Sequence, residues 1–306
     1  MNIAPDQLRI AAEVADALTA RRAVVALEST IFSNLGLPSP ANREALDRCI
    51  AAVRSHGAVP AVTAVIDGVA RVGLEVAEHE RILGPARKVA ERDLAIAIAE
   101  RWEVGATTVS ASLALAALAG ISVFATGGIG GVHRGADLHG DVSADLPALA
   151  RHPVVTVSAG AKSFLDLPRT LEMLETLGVP VVGHQCDDFP AFTVVSSGLR
   201  IPYRIDDVHV LARVARVRLG LGGGMLVCTP VPSDAAIDAV TMNAVIEQAL
   251  AEARTRGVTG PAVTPIVLGE IAAATSGEAV RANLALAENN ARLAAAIAAQ
   301  MASLRD

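Results

Sequence analysis

The chain has 306 residues and a formal net charge of −6, with 52% hydrophobic, 19% charged and only 2% aromatic residues. The acidic balance argues against nucleic acid as a partner, and the high hydrophobic content argues against a disordered chain. The core has to be built from Ala, Val, Leu and Ile, which suits closely packed helices and parallel strands.

The sequence predicts neither a membrane protein nor a secreted one. The first 22 residues predict a polar and then amphipathic helix, because they lack the basic start and apolar block of a signal peptide. The most apolar segment, 109–124, is interrupted by serine and glycine, so it predicts a buried helix followed by a strand rather than a membrane span. The three cysteines (Cys49, Cys186 and Cys228) lie far apart. Disulfides and a zinc site are therefore not expected, which suits a cytoplasmic protein.

Short strand-like runs alternate with longer helical patterns along the chain. The predicted strands are 23–27, 62–66, 121–125, 154–158, 179–183 and 225–229. The predicted helices between them include 41–56, 90–103, 163–177 and 205–219. This alternation predicts an α/β fold, with a mostly parallel central sheet and helices on both faces.

The last quarter of the chain has a different pattern. Residues 234–256 and 276–304 predict two long helices that form a cap or an oligomer contact. The sequence has no internal repeat and no linker rich in Pro, Gly or Ser. We therefore predict one α/β/α domain over residues 1–306.

Glu28 is the first candidate for chemistry in chain order. It follows the predicted strand 23–27 directly. A glutamate at the carboxyl end of a strand is well placed for acid–base work at a sheet edge. The alternative is an ordinary strand-end charge exposed to solvent.

A glycine-rich run, residues 125–135, follows the predicted strand 121–125. Its glycines would let backbone N–H groups approach an anion closely. The run lacks the Lys-Ser/Thr ending of a nucleotide-binding loop, and it matches the dinucleotide fingerprint only loosely. Both a phosphate or sugar cradle and a plain tight turn are consistent with it.

Two carboxylates flank a serine just downstream. Asp141, Ser143 and Asp145 could bind a hard divalent cation whose shell is completed by water. They are equally consistent with a helix N-cap before a helix over 145–150.

The use of lysine is unusual. Of the 26 Lys and Arg residues, only Lys88 and Lys162 are lysines. A bias toward arginine explains most of the depletion, but arginine cannot replace lysine where a neutral amine must attack a carbonyl. Lys162 follows the predicted strand 154–158, where a side chain of a parallel sheet points into the ligand crevice. A neighbouring cation such as Lys88 would favour its neutral amine. The alternative is a lysine at the N-terminus of a helix from Ser163, beside an unfavourable dipole.

In order along the chain, these segments resemble the pseudouridine-5′-phosphate glycosidase family, also described as indigoidine-synthase-A-like proteins. The resemblance covers nearly the whole chain. The matching stretches are VALESTI (25–31), KVAERDL (88–94), GATTVSAS (105–112), FATGGIGGVHRGA (124–136), DVSADL (141–146), SAGAKSFLD (158–166), GGGMLVCTPVP (222–232), TPIVLGEIAAAT (264–275) and ENNARLA (288–294).

The resemblance implies a role for particular residues. Lys162 is implied to be the nucleophile that forms an imine with C1′ of the ribose, and Glu28 to be the proton donor and acceptor. Asp141 is implied to bind a divalent cation, typically Mn²⁺. The sugar phosphate is implied to be held by Lys88, Val109, Ser143, Ala144 and Asp145. Thr126, His133 and Asn289 lie in matching segments and are further pocket candidates.

The implied reaction converts pseudouridine 5′-phosphate and water to uracil and ribose 5-phosphate, reversibly. The family resemblance also implies a single α/β/α domain assembled as a homotrimer. Two segments depart from the family pattern: 33–36, and 190–198, which lacks an arginine and a tyrosine. Both are expected on the base side of the pocket. The same lysine chemistry on another base, and a sugar-phosphate-binding protein without turnover, are the alternatives.

Overall fold

The structure is a computed structural model that describes residue 4, residues 6–257 and residues 263–304. Within these residues, eleven strands form one sheet. The strands are β1 (Leu8–Ile10), β2 (Val24–Leu27), β3 (Val59–Ile66), β4 (Val69–Val72), β5 (Arg87–Val89), β6 (Val104–Thr107), β7 (Val123–Ala125), β8 (Val155–Ser158), β9 (Val181–Gly183), β10 (Tyr203–Arg204) and β11 (Met225–Cys228). The α/β class predicted from the sequence is confirmed.

Helices separate most of the strands in the chain. They are α1 (Ala12–Thr19), α2 (Ala41–Ser55), α3 (Val76–Leu83), α4 (Leu94–Ala99), α5 (Val109–Ala119), α6 (Ala136–His139), α7 (Asp145–Arg151), α8 (Leu167–Thr176), α9 (Val208–Gly220), α10 (Ala239–Thr255), α11 (Val263–Ala274) and α12 (Glu278–Ser303), with a 3₁₀ turn at Glu91–Asp93. Among the described residues, no helix combines the length and the apolar character that crossing a membrane requires.

The sheet has a parallel centre and an irregular edge. Its strand order is β1-β4-β3-β2-β7-β8-β11-β9-β10, and β6 pairs with both β3 and β5. From β3 to β10 in this order, neighbouring strands are parallel. Every residue of β2, β8 and β11 is buried, as expected for parallel strands covered on both faces.

Strands β2 and β6 share one edge of β3, and their ends face each other. The opposite edge of β3 pairs with β4, which is antiparallel to residues 63–66. On the shared edge, β2 runs parallel to residues 59–62, whereas β6 runs antiparallel to residues 64–66. The carboxyl ends of β2 and β6 therefore meet beside Thr63.

Helix α12 lies along the sheet. It packs against β2, β7 and β8, and it is flanked by α2 and α9. Its inward face is apolar except for Asn290, which is 0% exposed. Helix α5 packs against β2, β3 and β7 and contacts α7. The first residues of α5 and of α7 line the cavity described below.

All six predicted strands are present, as β2, β3, β7, β8, β9 and β11. The sequence analysis missed five others: β1, β4, β5, β6 and β10. Four of these strands contain an arginine, and β6 (VGAT) contains a glycine, so they lack the apolar runs by which the six buried strands were recognised. The Asp67-Gly68 pair before β4 is a hairpin signal that could have been used.

The helix predicted from Ser163 begins later than expected. Asp166 caps α8 by accepting the N–H of Arg169 at 3.1 Å, and Pro168 occupies the first turn. Lys162 therefore lies in a loop after β8 and not at a helix N-terminus. The interpretation of Lys162 as a lysine beside a helix dipole is wrong.

Three other predicted helices differ from the structure. The predicted helix over 90–103 divides into the 3₁₀ turn and α4, which ends at Ala99. Arg101, two residues later, has a φ of +53°. The last quarter contains three helices within its described residues, α10 to α12, and not two. At the start of the chain β1 precedes α1, so only part of the predicted helix forms; residues 1–3 and 5 lie outside the described residues. The extent of the domain, 1–306, stays a prediction.

We predict that Gly160→Ala destabilises the protein much more than Gly178→Ala. Both glycines have positive φ, +69° and +71°. A Cβ at Gly160 would lie 1.9 Å from the carbonyl oxygen of Pro190, whereas a Cβ at Gly178 would have no atom within 4 Å. We expect losses of about 2–4 kcal/mol at Gly160 and about 1 kcal/mol at Gly178. Thermal unfolding in one buffer compares them, and equal losses would contradict the packing described for the loop after β8.

Candidate active site

The carboxyl ends of neighbouring parallel strands open onto one cavity. Its volume is about 370 Å³. Glu28 follows β2, and Lys162 lies four residues after β8. The cavity is lined by all eight residues to which the sequence analysis gave a role: Glu28, Lys88, Val109, Asp141, Ser143, Ala144, Asp145 and Lys162. The structure therefore brings these eight residues together.

Glu28 is buried, with 9% of its surface exposed. Its Oε1 accepts a short hydrogen bond from the hydroxyl of Thr126, the first residue after β7. Burial raises the pKa of Glu28, and the opposing effects of Lys162 and of the Thr126 hydrogen bond are smaller. Glu28 is thus not an exposed strand-end charge. Its carboxyl can hold a proton closer to neutral pH than an ordinary glutamate.

The only two lysines of the chain line the same cavity. Lys162 lies in a loop that pairs with the glycine-rich loop, since the N–H of Lys162 donates to the carbonyl of Ile129 at 3.1 Å. Lys88 is in β5 and is half-buried. Burial lowers the pKa of the Lys88 amine, and the positive charge of Lys162 lowers it further. The cavity therefore combines two lysines with two buried carboxyls, those of Glu28 and Asp145.

The carboxylate of Asp145 organises the wall of the cavity. It accepts the N–H of Ser110 in the first turn of α5 at 3.0 Å and the N–H of Gly130 at 2.8 Å. Asp145 is also the first residue of α7, where its own N–H donates to Ser143 Oγ at 3.2 Å. The helix predicted over 145–150 is present, but the residue before it is Ala144, which has no capping side chain. The cation site stays a prediction. Because both carboxylate oxygens of Asp145 accept backbone N–H groups, Asp145 fixes the wall of the cavity and is not itself an anion-binding group.

The glycine-rich loop is a close-packed turn. Many of its N–H groups bond within the protein, among them those of Thr126, Ile129, Gly130, Val132 and His133. A Cβ at Gly130 would lie 2.3 Å from Ser143 Oγ. The glycine is needed because Ser143 and Asp145 approach the backbone here. Of the two interpretations of this loop, the tight turn fits better than the open phosphate cradle.

A buried asparagine that the sequence analysis missed holds this loop in place. Asn290 donates from Nδ2 to the carbonyls of Thr126 and Gly127, at 2.8 and 3.1 Å. The neighbouring Asn289, a candidate by resemblance, instead approaches Thr229 Oγ1 at 3.4 Å and does not line the cavity. The helical period of α12 is the signal that could have identified which asparagine faces the sheet.

His133 and Asp141 lie at the other side of the cavity. His133 Nδ1 is 3.7 Å from Asp141 Oδ2. Burial lowers the pKa of His133, as do the charges of the two lysines, while Asp141 raises it. In the described part of the chain, no three His, Cys, Asp or Glu side chains converge as metal ligands. A cation here would have few direct protein ligands.

A second cavity of about 290 Å³ shares Leu35 with the first. Its lining includes Asn34, Thr193 and Asn283. Thr193 Oγ1 and Asn283 Oδ1 are buried and have no hydrogen-bond partner. Residues 34–35 and 193 belong to the two segments that depart from the family pattern, so both departures reach this second cavity.

The whole chain is similar to known proteins. A family described as indigoidine synthase A like protein matches residues 13–300. The pseudouridine-5′-phosphate glycosidase of Paracoccus denitrificans is 50% identical over 305 residues, which cover 98% of this chain and 100% of that protein. The protein of the same name from Chloroflexus aurantiacus is also 50% identical, over 97% of this chain and 99% of its own.

Two solved structures have the same fold. The prealnumycin C-glycosynthase in complex with ribulose 5-phosphate superposes with a TM-score of 0.89 and 38% identity, covering 98% of both chains. An indigoidine-synthase-A-like protein from Thermotoga maritima superposes with a TM-score of 0.88 and 34% identity, covering 99% of both.

We predict that Glu28→Gln stabilises the protein more at pH 8 than at pH 5. Because burial raises the folded-state pKa of Glu28, its contribution to stability is full below the unfolded pKa and is lost as pH rises through the folded pKa. Glutamine resembles the protonated carboxyl and avoids that loss. Thermal midpoints of both proteins at the two pH values measure the difference.

Glu13→Gln is the matched control, because Arg54 lowers the pKa of Glu13. This carboxylate favours the charged form, so its replacement should give no gain at pH 8. A gain for Glu28→Gln that is the same at both pH values would show that Glu28 is not held in a desolvated site.

Proposed function

The chain belongs to the family of indigoidine synthase A like proteins, and on this premise we propose that it cleaves the C–C glycosidic bond of pseudouridine 5′-phosphate reversibly. The products are uracil and ribose 5-phosphate. The relatives that are 50% identical over the whole chain carry this activity in their names. The observation that supports it best is the cavity in which both lysines of the chain meet a buried Glu28.

Lys162 is proposed as the nucleophile, and Glu28 as the proton donor. A C–C bond has no leaving group that a carboxylate pair alone could displace, so the cleavage needs an electron sink at C1′. The C1′–O4′ bond breaks as Glu28 protonates O4′, and the Lys162 amine bonds to C1′. Glu28, now a carboxylate, accepts a proton from the Lys162 nitrogen. The C1′–C5 bond then breaks, C5 of uracil keeps the electron pair and takes this proton from Glu28, and the nitrogen lone pair forms an imine. Water hydrolyses the imine to ribose 5-phosphate and free Lys162.

The 5′-phosphate is proposed to lie between Lys88 and the N-terminus of α5 at Val109. A lysine amine and the N–H groups of a helix start both favour a phosphate. Ser143 and Ala144 line the same wall, and the Asp145 carboxylate holds the start of α5 by accepting the N–H of Ser110. A phosphate would also stabilise the protonated form of Lys88, whose pKa is lowered in the free protein.

A divalent cation, Mn²⁺ by resemblance, fits the donor set only in a hydrated form. Asp141 offers a carboxylate that lines the cavity, with His133 the nearest ionisable partner. One carboxylate and several waters is a shell that hard cations accept. Such a cation would order water and substrate oxygens near Asp141.

The base is proposed to lie toward the second cavity. Uracil presents N–H donors and carbonyl acceptors on the same ring, and the unpartnered Thr193 and Asn283 atoms could each bond one of them. A homotrimer and a cytoplasmic location are further proposals that follow from the family resemblance. Light scattering coupled to size-exclusion chromatography measures the first of these.

The proposed function is tested by following uracil release from pseudouridine 5′-phosphate with Mn²⁺ present. We predict that Lys162→Arg loses at least about 1,000-fold in kcat, since a guanidinium keeps the charge but cannot form an imine. Lys88→Arg is the matched control: it should keep kcat, because a phosphate accepts either cation, and it should change mainly KM, because a guanidinium is larger than an amine. Turnover by Lys162→Arg would contradict the assignment of the nucleophile.

Wild-type enzyme that releases no uracil would separate the two alternatives. If ribose 5-phosphate can still be trapped on the protein by borohydride, the lysine chemistry operates on another base. If nothing is trapped, the protein binds sugar phosphates without turnover and the proposed function is wrong.

We predict that Thr193→Val raises KM for pseudouridine 5′-phosphate about 3- to 10-fold, because a buried hydroxyl that bonds the base contributes about 0.5–1.5 kcal/mol. Borohydride trapping of ribose 5-phosphate, which has no base, should be unchanged. Unchanged kinetics with pseudouridine 5′-phosphate would place the base elsewhere.

A further inference from the structure

Four hydroxyl side chains fill the junction at which β2 and β6 meet on β3. They are Ser29, Thr63, Thr107 and Ser112, and each is 0% exposed. Thr107 Oγ1 lies 3.2 Å from Ser29 Oγ, 2.8 Å from Thr63 Oγ1 and 3.2 Å from Ser112 Oγ. It donates to the carbonyl of Thr63 at 2.7 Å. Thr107 is therefore the centre of this hydroxyl cluster.

Thr107 also fixes the two residues that follow Glu28. Its N–H donates to Ser29 Oγ at 2.9 Å. Its carbonyl accepts the N–H of Thr30 at 3.2 Å and the hydroxyl of Thr30 at 2.7 Å. Before Glu28, the carbonyl of Leu27 accepts the hydroxyl of Thr63 at 3.2 Å. The backbone on both sides of Glu28 is thus held by the cluster.

The same residue leads directly into α5. Thr107 ends β6, Thr108 precedes the helix, and Val109 is its first residue. Ser112, in the first turn of α5, donates to Thr107 Oγ1. One side chain therefore joins the strand that presents Glu28 to the helix whose N-terminus lines the cavity.

We propose that Thr107 is a positioning residue that sets the separation between the carboxyl of Glu28 and the N-terminus of α5. The inference rests on the proposed function, in which these two groups act on opposite ends of one ribose phosphate. A misplacement of about 1 Å can cost an enzyme about 100-fold in rate, so a rigid tie between the two groups matters. Hydroxyl networks in a dry interior are well suited to such a tie, because each bond strengthens its neighbours.

A purely structural role is the competing account. The cluster satisfies polar backbone groups where two strands end, and its loss would then lower only the stability of the fold. A positioning role predicts a change in kcat and in the pH dependence as well.

The test compares full-length Thr107→Val with Thr107→Ser and Thr156→Val by steady-state kinetics and pH–rate profiles. Thr156 is a matched control, because it is also 0% exposed and its hydroxyl has no partner. We expect Thr107→Val to lose about tenfold in kcat, with KM within about twofold of wild type. The limb of the profile that belongs to Glu28 should move to lower pH, because water would reach the relaxed carboxyl.

Thr107→Ser keeps the hydroxyl and should stay within about twofold of wild type, as should Thr156→Val. Wild-type kcat and pH profile in Thr107→Val would overturn the proposal, as would equal losses in the serine and valine variants. If Thr107→Val does not fold, Ser112→Ala takes its place, with a smaller loss of kcat in the same direction expected and unchanged kcat overturning the proposal. Absence of turnover in the wild type would overturn the proposed function itself, which is a distinguishable result.

Discussion

The whole site depends on a break in the sheet beside Thr63. Two strands, β2 and β6, use the same edge of β3 from opposite directions, so both of their carboxyl ends point to one place. The next residues in each chain segment are Glu28 and the start of α5, which line the same cavity. A regular parallel sheet would present only strand ends of one direction at this edge. Backbone groups that lose their ladder at the break bond the hydroxyls of Ser29 and Thr63 instead.

The cavity concentrates ionisable side chains that are scarce or exposed elsewhere in the chain. The chain is acidic overall, yet its two lysines both line this cavity together with the buried Glu28. Burial shifts the pKa values of Glu28 and Lys88 in opposite directions, each toward its neutral form. A site of this kind can exchange protons near neutral pH, and a bound phosphate would restore the charge of Lys88.

The α/β class and six central strands could be predicted from sequence, because apolar runs are local signals. Strand-end positions singled out Glu28 and Lys162, whereas Val109 and Ala144 were candidates only through the family resemblance. The junction at Thr63 could not be predicted, since it depends on the antiparallel pairing of β6 with β3, which no local pattern predicts. The glycine-rich loop was also ambiguous. Its N–H groups bond to Gly160, Asp145 and other distant residues, and no local pattern predicts those partners. The role of Asn290 needed the orientation of α12, which tertiary packing sets.

The most direct test of the central claim is the site of covalent trapping. Wild-type protein is reduced with borohydride in the presence of ribose 5-phosphate, digested, and the modified lysine is identified by mass spectrometry. The account predicts the adduct on Lys162 alone, because Lys162 lies past the end of β8 whereas Lys88 is assigned to the phosphate. An adduct on Lys88, or on neither lysine, would contradict it.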